Sequence, residues 1–154
     1  MRNEEIISKL IENNITLSTA ESCTGGSLGK IITSVPGASS IYGYGFITYA
    51  NEAKEKILGV PHEILELHGA VSYQTAICMA EGTKRVSGSH IAVSVTGIAG
   101  PGGGTEQKPV GLVYIALAHE GETIYKKLNL SGNREEIRAK TCDEVFNLIK
   151  ETIF

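Results

Sequence analysis

The chain has 154 residues, of which 42% are hydrophobic and 20% are charged, a composition typical of a globular protein. This length predicts one domain over residues 1–154 with a core of its own. The net charge of −3 and the lack of a basic cluster argue against nucleic-acid binding, which needs a positive face to neutralise phosphates. No apolar run approaches the ~20 residues that span a bilayer, and no signal peptide is recognisable. We therefore expect a cytoplasmic protein with no membrane partner.

The residue types that bind metals are few and scattered along the chain. The three cysteines form no CxxC pair, the four histidines show no HxxxH spacing, and Asp143 is the only aspartate. We therefore expect neither a disulfide framework nor a metal site, and no cofactor.

The hydrophobic pattern predicts helices and strands that alternate in the first part of the chain and a hairpin later. This order predicts an α/β fold, specifically a three-layer α/β/α sandwich with a mixed β-sheet. The predicted helices are 4–13, 24–35 with Thr24 as cap, 51–58 with Asn51 as cap, 62–67, 73–86 with Ser72 as cap, and a last helix opened by an Asn133–Glu136 capping box. The predicted strands are 15–20, 42–49, 90–96, 110–118 and 123–130.

The junction after the first predicted strand reads Thr-Ala-Glu-Ser-Cys-Thr-Gly-Gly over residues 19–26. In open α/β sheets, ligands bind at the carboxyl ends of strands. Glycines at the start of a helix let a ligand approach the backbone, and the free N–H groups there favour an anion. A plain helix cap with glycines for close packing explains the same residues equally well.

Lys54 falls at the third position of the helix that Asn51 is predicted to cap. The positive end of the helix dipole disfavours an ammonium group there, and partial burial acts in the same direction. A neutral lysine can take a proton from a serine hydroxyl, as in Ser/Lys hydrolases. A solvated surface lysine is the commoner case, so the pattern alone leaves both interpretations open.

The strand ending at Thr96 is followed by a loop rich in glycine, residues 97–104. Its backbone N–H groups could converge on a phosphate or an oxyanion, or the loop could be a mobile surface segment. Pro101 and Pro109 restrict the backbone and favour a shaped loop. Arg134, in the first turn of the last helix, is either a clamp for phosphate or carboxylate or an exposed arginine.

Four segments of the chain stand in the order found in the CinA carboxy-terminal domain family, which the chain resembles over nearly its whole length. The resemblance implies hydrolysis of the carboxamide of nicotinamide mononucleotide (NMN) to nicotinate mononucleotide and ammonia, a step of pyridine-nucleotide salvage. It also implies a Ser/Lys mechanism without a metal, and a homo-oligomer. The segments are residues 19–26 (TAESCTGG), 49–54 (YANEAK), 68–72 (HGAVS) and 97–101 (GIAGP) continuing to 108–111 (KPVG).

The resemblance also implies roles for particular residues. The family's nucleophilic serine aligns with Ser39, where Ala38 replaces the first serine of a Pro-Gly-Ser-Ser segment, and Ser40 is the alternative nucleophile. Lys54 takes the role of the base, and Tyr49 orients or relays the proton. The residues expected to bind the substrate are Ser22, Thr24, Gly25, Thr96, Gly97, Gly100 and Arg134.

Other functions compete with the enzyme. A member of the family could keep the nucleotide pocket without turnover, could act as an interaction module linked to competence or DNA damage, or could hydrolyse another small carboxamide. The presence of Ser39, Tyr49 and Lys54 favours the enzyme.

Overall fold

The computed structural model describes residues 2–154 as a five-stranded sheet with the strand order β2-β1-β3-β4-β5. Strands β1, β2 and β3 are parallel to one another, whereas β4 is antiparallel to both of its neighbours, β3 and β5. The strands are β1 (Leu17–Glu21), β2 (Tyr44–Ile47), β3 (Ile91–Gly97), β4 (Leu112–His119) and β5 (Glu122–Asn129). The helices are α1 (Asn3–Glu12), α2 (Ser27–Thr33), α3 (Asn51–Leu58), α4 (His62–His68), α5 (Tyr73–Ser87) and α6 (Arg134–Ile153), and a short 3₁₀ turn covers Ala38–Ser40.

Alternation along β3 assigns large and small side chains to opposite faces of the sheet. Ile91, Val93 and Val95 belong to the main core with apolar residues of α1, α2 and α6. The small residues between them face α5, where the Ser94 hydroxyl donates a hydrogen bond to the Ala76 carbonyl. Helices therefore cover both faces, and the predicted three-layer sandwich with a mixed sheet is confirmed.

Most of the predicted helix ends are also confirmed. The Ser72 hydroxyl accepts a hydrogen bond from the Thr75 N–H and caps α5. Asn133 and Glu136 form the predicted capping box at the start of α6. The β4–β5 hairpin turns through Glu120 and Gly121, whose φ values of 47° and 76° are those that a two-residue type I′ turn requires.

Two predicted helix starts near the candidate site are wrong. Thr24 does not cap α2, because Gly25 and Gly26 adopt positive φ and delay the helix until Ser27. Asn51 is the first residue of α3 rather than its cap, since the Lys54 N–H already bonds to the Ala50 carbonyl. Lys54 is therefore at the fourth helical position and not at the third.

The parallel strands bring three chain segments to one edge of the sheet. The residues that follow β1, β2 and β3 all leave the carboxyl ends of neighbouring strands. This is the edge at which α/β sheets bind ligands. Within residues 2–154, no helix is both long and apolar enough to cross a membrane.

Candidate functional site

A cleft of about 270 Å³ opens at this carboxyl edge of the sheet. It collects the residues after β1 and β3, the start of α3, the segment before α5 and the start of α6. Seven of the residues in its walls were predicted from the sequence as catalytic or substrate-binding residues, namely Ser22, Tyr49, Lys54, Thr96, Gly97, Gly100 and Arg134. The three junctions predicted from the sequence therefore meet in one place.

Lys54 is the most deeply buried charged residue in the cleft, with only 1% of its surface exposed. Its Nζ donates hydrogen bonds to the carbonyl oxygens of Thr48, at 2.8 Å, and Tyr49, at 3.2 Å. The third neighbour of Nζ is the Ser22 hydroxyl, at 3.3 Å. As an ammonium group, Lys54 donates to all three oxygens, including the Ser22 hydroxyl. A neutral amine keeps the two hydrogen bonds to the carbonyls, and its lone pair can then accept the serine proton.

Burial lowers the pKa of Lys54, because an ammonium group loses hydration inside the protein. The nearby Cys23 acts in the opposite direction where its thiol is ionised, and it raises this pKa to a smaller extent. Within residues 2–154, no carboxylate forms an ion pair with Lys54 that would hold it charged. The position of Lys54 therefore favours a proton acceptor.

Ser39 does not contact Lys54 within the chain. It lies in the 3₁₀ turn before β2, whereas Lys54 lies after β2, so the strand separates the two residues. Strand β2 has four residues with a rise of about 3.3 Å each, so Ser39 lies at the amino edge of the sheet, opposite to the edge that carries the cleft. Ser40 is on the same turn, and its hydroxyl donates to the Gly37 carbonyl. The predicted Ser39–Lys54 pair is therefore not formed within one chain, and Ser22 occupies that place.

Thr24 and Gly25 also lie outside the cleft walls. The Glu21 carboxylate accepts hydrogen bonds from the backbone N–H groups of Leu28, at 3.0 Å, and Gly29, at 3.2 Å. These are N–H groups of the first turn of α2, so the protein's own carboxylate occupies the position proposed for a bound anion. The N–H groups of Leu28 and Gly29 are thus not available to a phosphate.

Arg134 spans the mouth of the cleft. One of its nitrogens, Nη1, donates to the Gly100 carbonyl at 2.7 Å, and Nη2 donates to the Tyr49 hydroxyl at 3.2 Å. The Tyr49 side chain is 61% exposed, and its contact with Lys54 is made through the backbone carbonyl. The structure therefore places the Tyr49 hydroxyl beside a cation at the entrance, away from the Ser22–Lys54 pair.

The family model for the CinA C-terminal domain matches residues 1–153. The chain belongs to the CinA C-terminal domain family. A competence-damage inducible protein of Caldanaerobacter subterraneus is 52% identical over 148 residues, which cover 96% of this chain and 36% of the relative. One of Clostridium novyi is 52% identical over 139 residues, or 90% of this chain and 34% of the relative. The chain thus spans about a third of the length of these curated relatives.

Solved structures with the CinA fold agree closely with this one. The competence/damage inducible protein CihA from Agrobacterium tumefaciens has a TM-score of 0.93 at 41% identity, covering 97% of this chain and 94% of that one. The competence damage-inducible protein A from Klebsiella pneumoniae has a TM-score of 0.94 at 32% identity, covering 99% and 98%.

Seven residues of the CinA-family cleft were not predicted individually to line it. Four of them, Ile98, Ala99, Gly102 and Gly103, lie in the glycine-rich loop, and the other three are Cys23, Ala70 and Val71. Burial raises the pKa of the Cys23 thiol to about 11, so this thiol stays protonated near neutral pH and is a poor nucleophile. Its position directly after Ser22 was a sequence signal for its presence in the wall. Ala70 and Val71 lie in the third of the quoted motifs, to which no role was given.

A larger cleft, of about 580 Å³, lies between α2 and α6. Its walls include Lys30, Arg138 and Glu135 but no pair of a hydroxyl and a buried amine. The smaller cleft is therefore the one in which this CinA-family chain brings reactive groups together.

Proposed function

We propose that this chain hydrolyses the carboxamide of NMN to nicotinate mononucleotide and ammonia. The observation that carries the proposal is the buried Lys54 amine, 3.3 Å from the Ser22 hydroxyl and without a carboxylate partner within residues 2–154. A lysine in this environment can activate a serine, which a Ser/Lys amidohydrolase requires. The choice of NMN rests on the resemblance to the CinA family.

In the proposed acylation step, the neutral Lys54 amine takes the proton of the Ser22 hydroxyl. The serine oxygen then attacks the carboxamide carbon, and the carbonyl oxygen becomes an oxyanion. When the tetrahedral intermediate collapses, the protonated Lys54 gives its proton to the amide nitrogen, which leaves as ammonia. The product on the protein is an ester between Ser22 and the nicotinate carbonyl.

Backbone N–H groups on both sides of the cleft can stabilise the oxyanion. The N–H of Cys23, next to Ser22, has its own thiol sulfur as a hydrogen-bond partner. The N–H groups of Ala99 and Gly100, on the opposite wall, have no hydrogen-bond acceptor within residues 2–154. A donor after the nucleophile and another from a neighbouring loop is the usual composition of an oxyanion hole. Each such donor contributes about 10²–10³-fold to the rate.

Hydrolysis of the ester regenerates the protein. Neutral Lys54 takes a proton from water, the hydroxide attacks the ester carbon, and the Ser22 oxygen leaves with the proton returned by Lys54. The sum of the two steps converts one carboxamide and one water into one carboxylic acid and one ammonia.

Arg134 is the proposed contact for the phosphate of NMN. Its guanidinium lies at the cleft mouth in the first turn of α6, and its Nη2 bond to the Tyr49 hydroxyl can be exchanged for a phosphate oxygen. A guanidinium binds phosphate with two parallel hydrogen bonds, which gives orientation as well as affinity. This assignment replaces the turn at residues 24–26, where Glu21 already satisfies the helix.

The test is to incubate the purified chain with NMN and to measure ammonia and nicotinate mononucleotide in equal amounts. We expect both products from NMN, and less from nicotinamide riboside and nicotinamide, which lack the phosphate that Arg134 would bind. The variant Arg134→Gln, which removes the guanidinium, should weaken the preference for NMN over nicotinamide riboside. If NMN binds but neither product forms, the chain is a binding module and the proposal fails.

A further inference from the structure

The loop between β3 and β4 forms one wall of the cleft, through Ile98, Ala99, Gly100, Gly102 and Gly103. Such a glycine-rich segment has little side-chain packing of its own, and it needs tethers to keep a fixed shape. Arg134 supplies one tether at the Gly100 carbonyl. The second lies at the other end of the loop, in the Lys108-Pro109-Val110-Gly111 motif, which the proposed function leaves without a role.

Lys108 Nζ donates a hydrogen bond of 2.6 Å to the carbonyl of His68, the last residue of α4. The carbonyls of the last helical turn lack partners within the helix, so a lysine ammonium is a favourable partner there. The next residue, Gly69, has a φ of +77°, and a Cβ added to it would lie 3.0 Å from Lys108 Nζ. The glycine leaves the space that the ammonium occupies.

Two hydrogen bonds fix the loop around Lys108 itself. The Thr105 N–H donates to the Lys108 carbonyl at 2.8 Å, and the Lys108 N–H donates to the Thr105 hydroxyl at 3.0 Å. The backbone at this end of the loop is thereby closed into a turn. The hydrogen bond between the Lys108 side chain and His68 therefore also restrains the backbone at this end of the loop.

The segment that Lys108 holds continues directly into the opposite wall of the cleft. Ala70 and Val71 line the cleft, and the Ala70 carbonyl accepts a hydrogen bond from the Thr96 hydroxyl at 2.8 Å. The Gly69 carbonyl accepts hydrogen bonds from the hydroxyls of Ser72 and Thr75, at 2.9 and 2.7 Å. The wall at residues 69–71 is therefore a fixed support on which the loop can be anchored.

We propose that Lys108 is a positioning residue, which fastens the glycine-rich loop to the end of α4 and so fixes the spacing between the Gly100 and Ala70 walls of the cleft. The effect on turnover rests on the proposed function. Lys108 is not among the cleft-lining residues, and its ammonium is engaged by the His68 carbonyl, so it acts through the loop and not on the substrate.

The first test compares Lys108→Met and Lys108→Arg with Lys127→Met, an exposed lysine of β5 on the far side of the sheet. In Lys108→Met we expect kcat/KM for NMN to fall about 10- to 100-fold, because small misplacements of an oriented wall are costly. Lys108→Arg should recover most of the loss, and Lys127→Met should match the wild type. The acidic limb of the pH profile should stay in place, since Lys54 is untouched.

The second test does not depend on activity. Proteinase K should cut within residues 98–110 at least several-fold faster in Lys108→Met than in the wild type, with the rest of the chain equally resistant. Wild-type kcat/KM in Lys108→Met, or a displaced acidic limb, overturns the positioning role. Equal cleavage rates overturn the tether, even if the wild type does not hydrolyse NMN. If Lys108→Met fails to fold, Lys108→Gln, which removes the charge and is one bond too short to reach the His68 carbonyl in the same way, takes its place in both tests.

Discussion

At the scale of single residues, the burial of Lys54 affects both the reactivity of its amine and the stability of the fold. Burial holds its pKa below the value in the unfolded chain, so the folded state binds fewer protons between the two pKa values. The stability of the wild type must therefore increase as the pH rises from the native pKa towards the unfolded pKa. Because the neutral Lys54 amine is the proposed base, hydrolysis of NMN should be lost as the pH falls through the native pKa of Lys54.

Lys54→Met tests both consequences, because it keeps the volume and removes the titration. We expect turnover to disappear and the fold to remain. The wild type should lose stability as the pH falls from about 10 towards the native pKa of Lys54, whereas Lys54→Met lacks this titration. The free energy of unfolding of Lys54→Met minus that of the wild type should therefore rise over this range and stay constant below it. Urea unfolding across this pH range measures the difference. The control is Lys56→Met, an exposed lysine of the same helix, whose difference from wild type should not vary in this way.

The identity of the nucleophile is decided by three serine variants. If Ser22 is the partner of Lys54, Ser22→Ala should lower kcat by about 10³-fold or more, whereas Ser39→Ala and Ser40→Ala should keep most of the activity. Circular dichroism checks that each variant folds. A loss in Ser39→Ala alone would instead indicate that a second copy supplies the serine. In that case, mixing Ser39→Ala with Lys54→Met should restore part of the activity.

At the scale of the elements, Glu21 joins β1 to α2 across the turn that carries Ser22. Its side chain is 2% exposed, and it satisfies two backbone N–H groups of the helix. Glu21→Ala leaves these donors without an acceptor, which should lower the free energy of unfolding by about 2–3 kcal/mol. Urea unfolding should show a smaller loss in Glu21→Gln, which keeps one acceptor, and almost none in Glu106→Ala, an exposed loop carboxylate. Equal stability of Glu21→Ala and Glu106→Ala would contradict this role.

The elements also show what the sequence could predict. Helix α5, strand β3 and the start of helix α6 were predicted within one or two residues, because their periodicity and caps are local signals. The Ser22–Lys54 contact could not be predicted, because it joins residues 32 positions apart and depends on β2 lying beside β1. The role of Glu21 at α2 was missed for a related reason. Its reach to Leu28 requires the turn conformation of Gly25 and Gly26, which composition does not specify.

At the scale of the whole molecule, the two edges of the sheet differ in their protection. Strand β5 carries charged residues along its length, including Lys126 and Lys127, which oppose pairing with another strand. Strand β2 has no charged residue or proline, and Tyr44 and Ile47 are 49% and 56% exposed. The homo-oligomer implied by the family resemblance stays a prediction. Because β2 lacks the charges that protect β5, β2 is the edge strand that we expect to pair with a second copy of the chain.

A two-fold axis beside β2 would pair this strand with its copy in antiparallel fashion. In that arrangement, the turn that precedes β2 in one copy approaches the residues that follow β2 in the other. A second copy could thus carry Ser39 towards the Tyr49 side of the cleft, which one chain alone cannot do.

Ile47→Lys tests this arrangement, because a charge on an edge strand opposes strand pairing. We expect sedimentation velocity to give a dimer for the wild type and a monomer for Ile47→Lys at the same concentration. Leu67→Lys is the matched control, since Leu67 is exposed and apolar but lies on α4, and it should stay dimeric. A monomeric wild type, or a dimer in both variants, would contradict pairing through β2. Wild-type NMN hydrolysis by the monomeric variant would show that the site is complete within one chain, in which Ser22 is the serine that contacts Lys54.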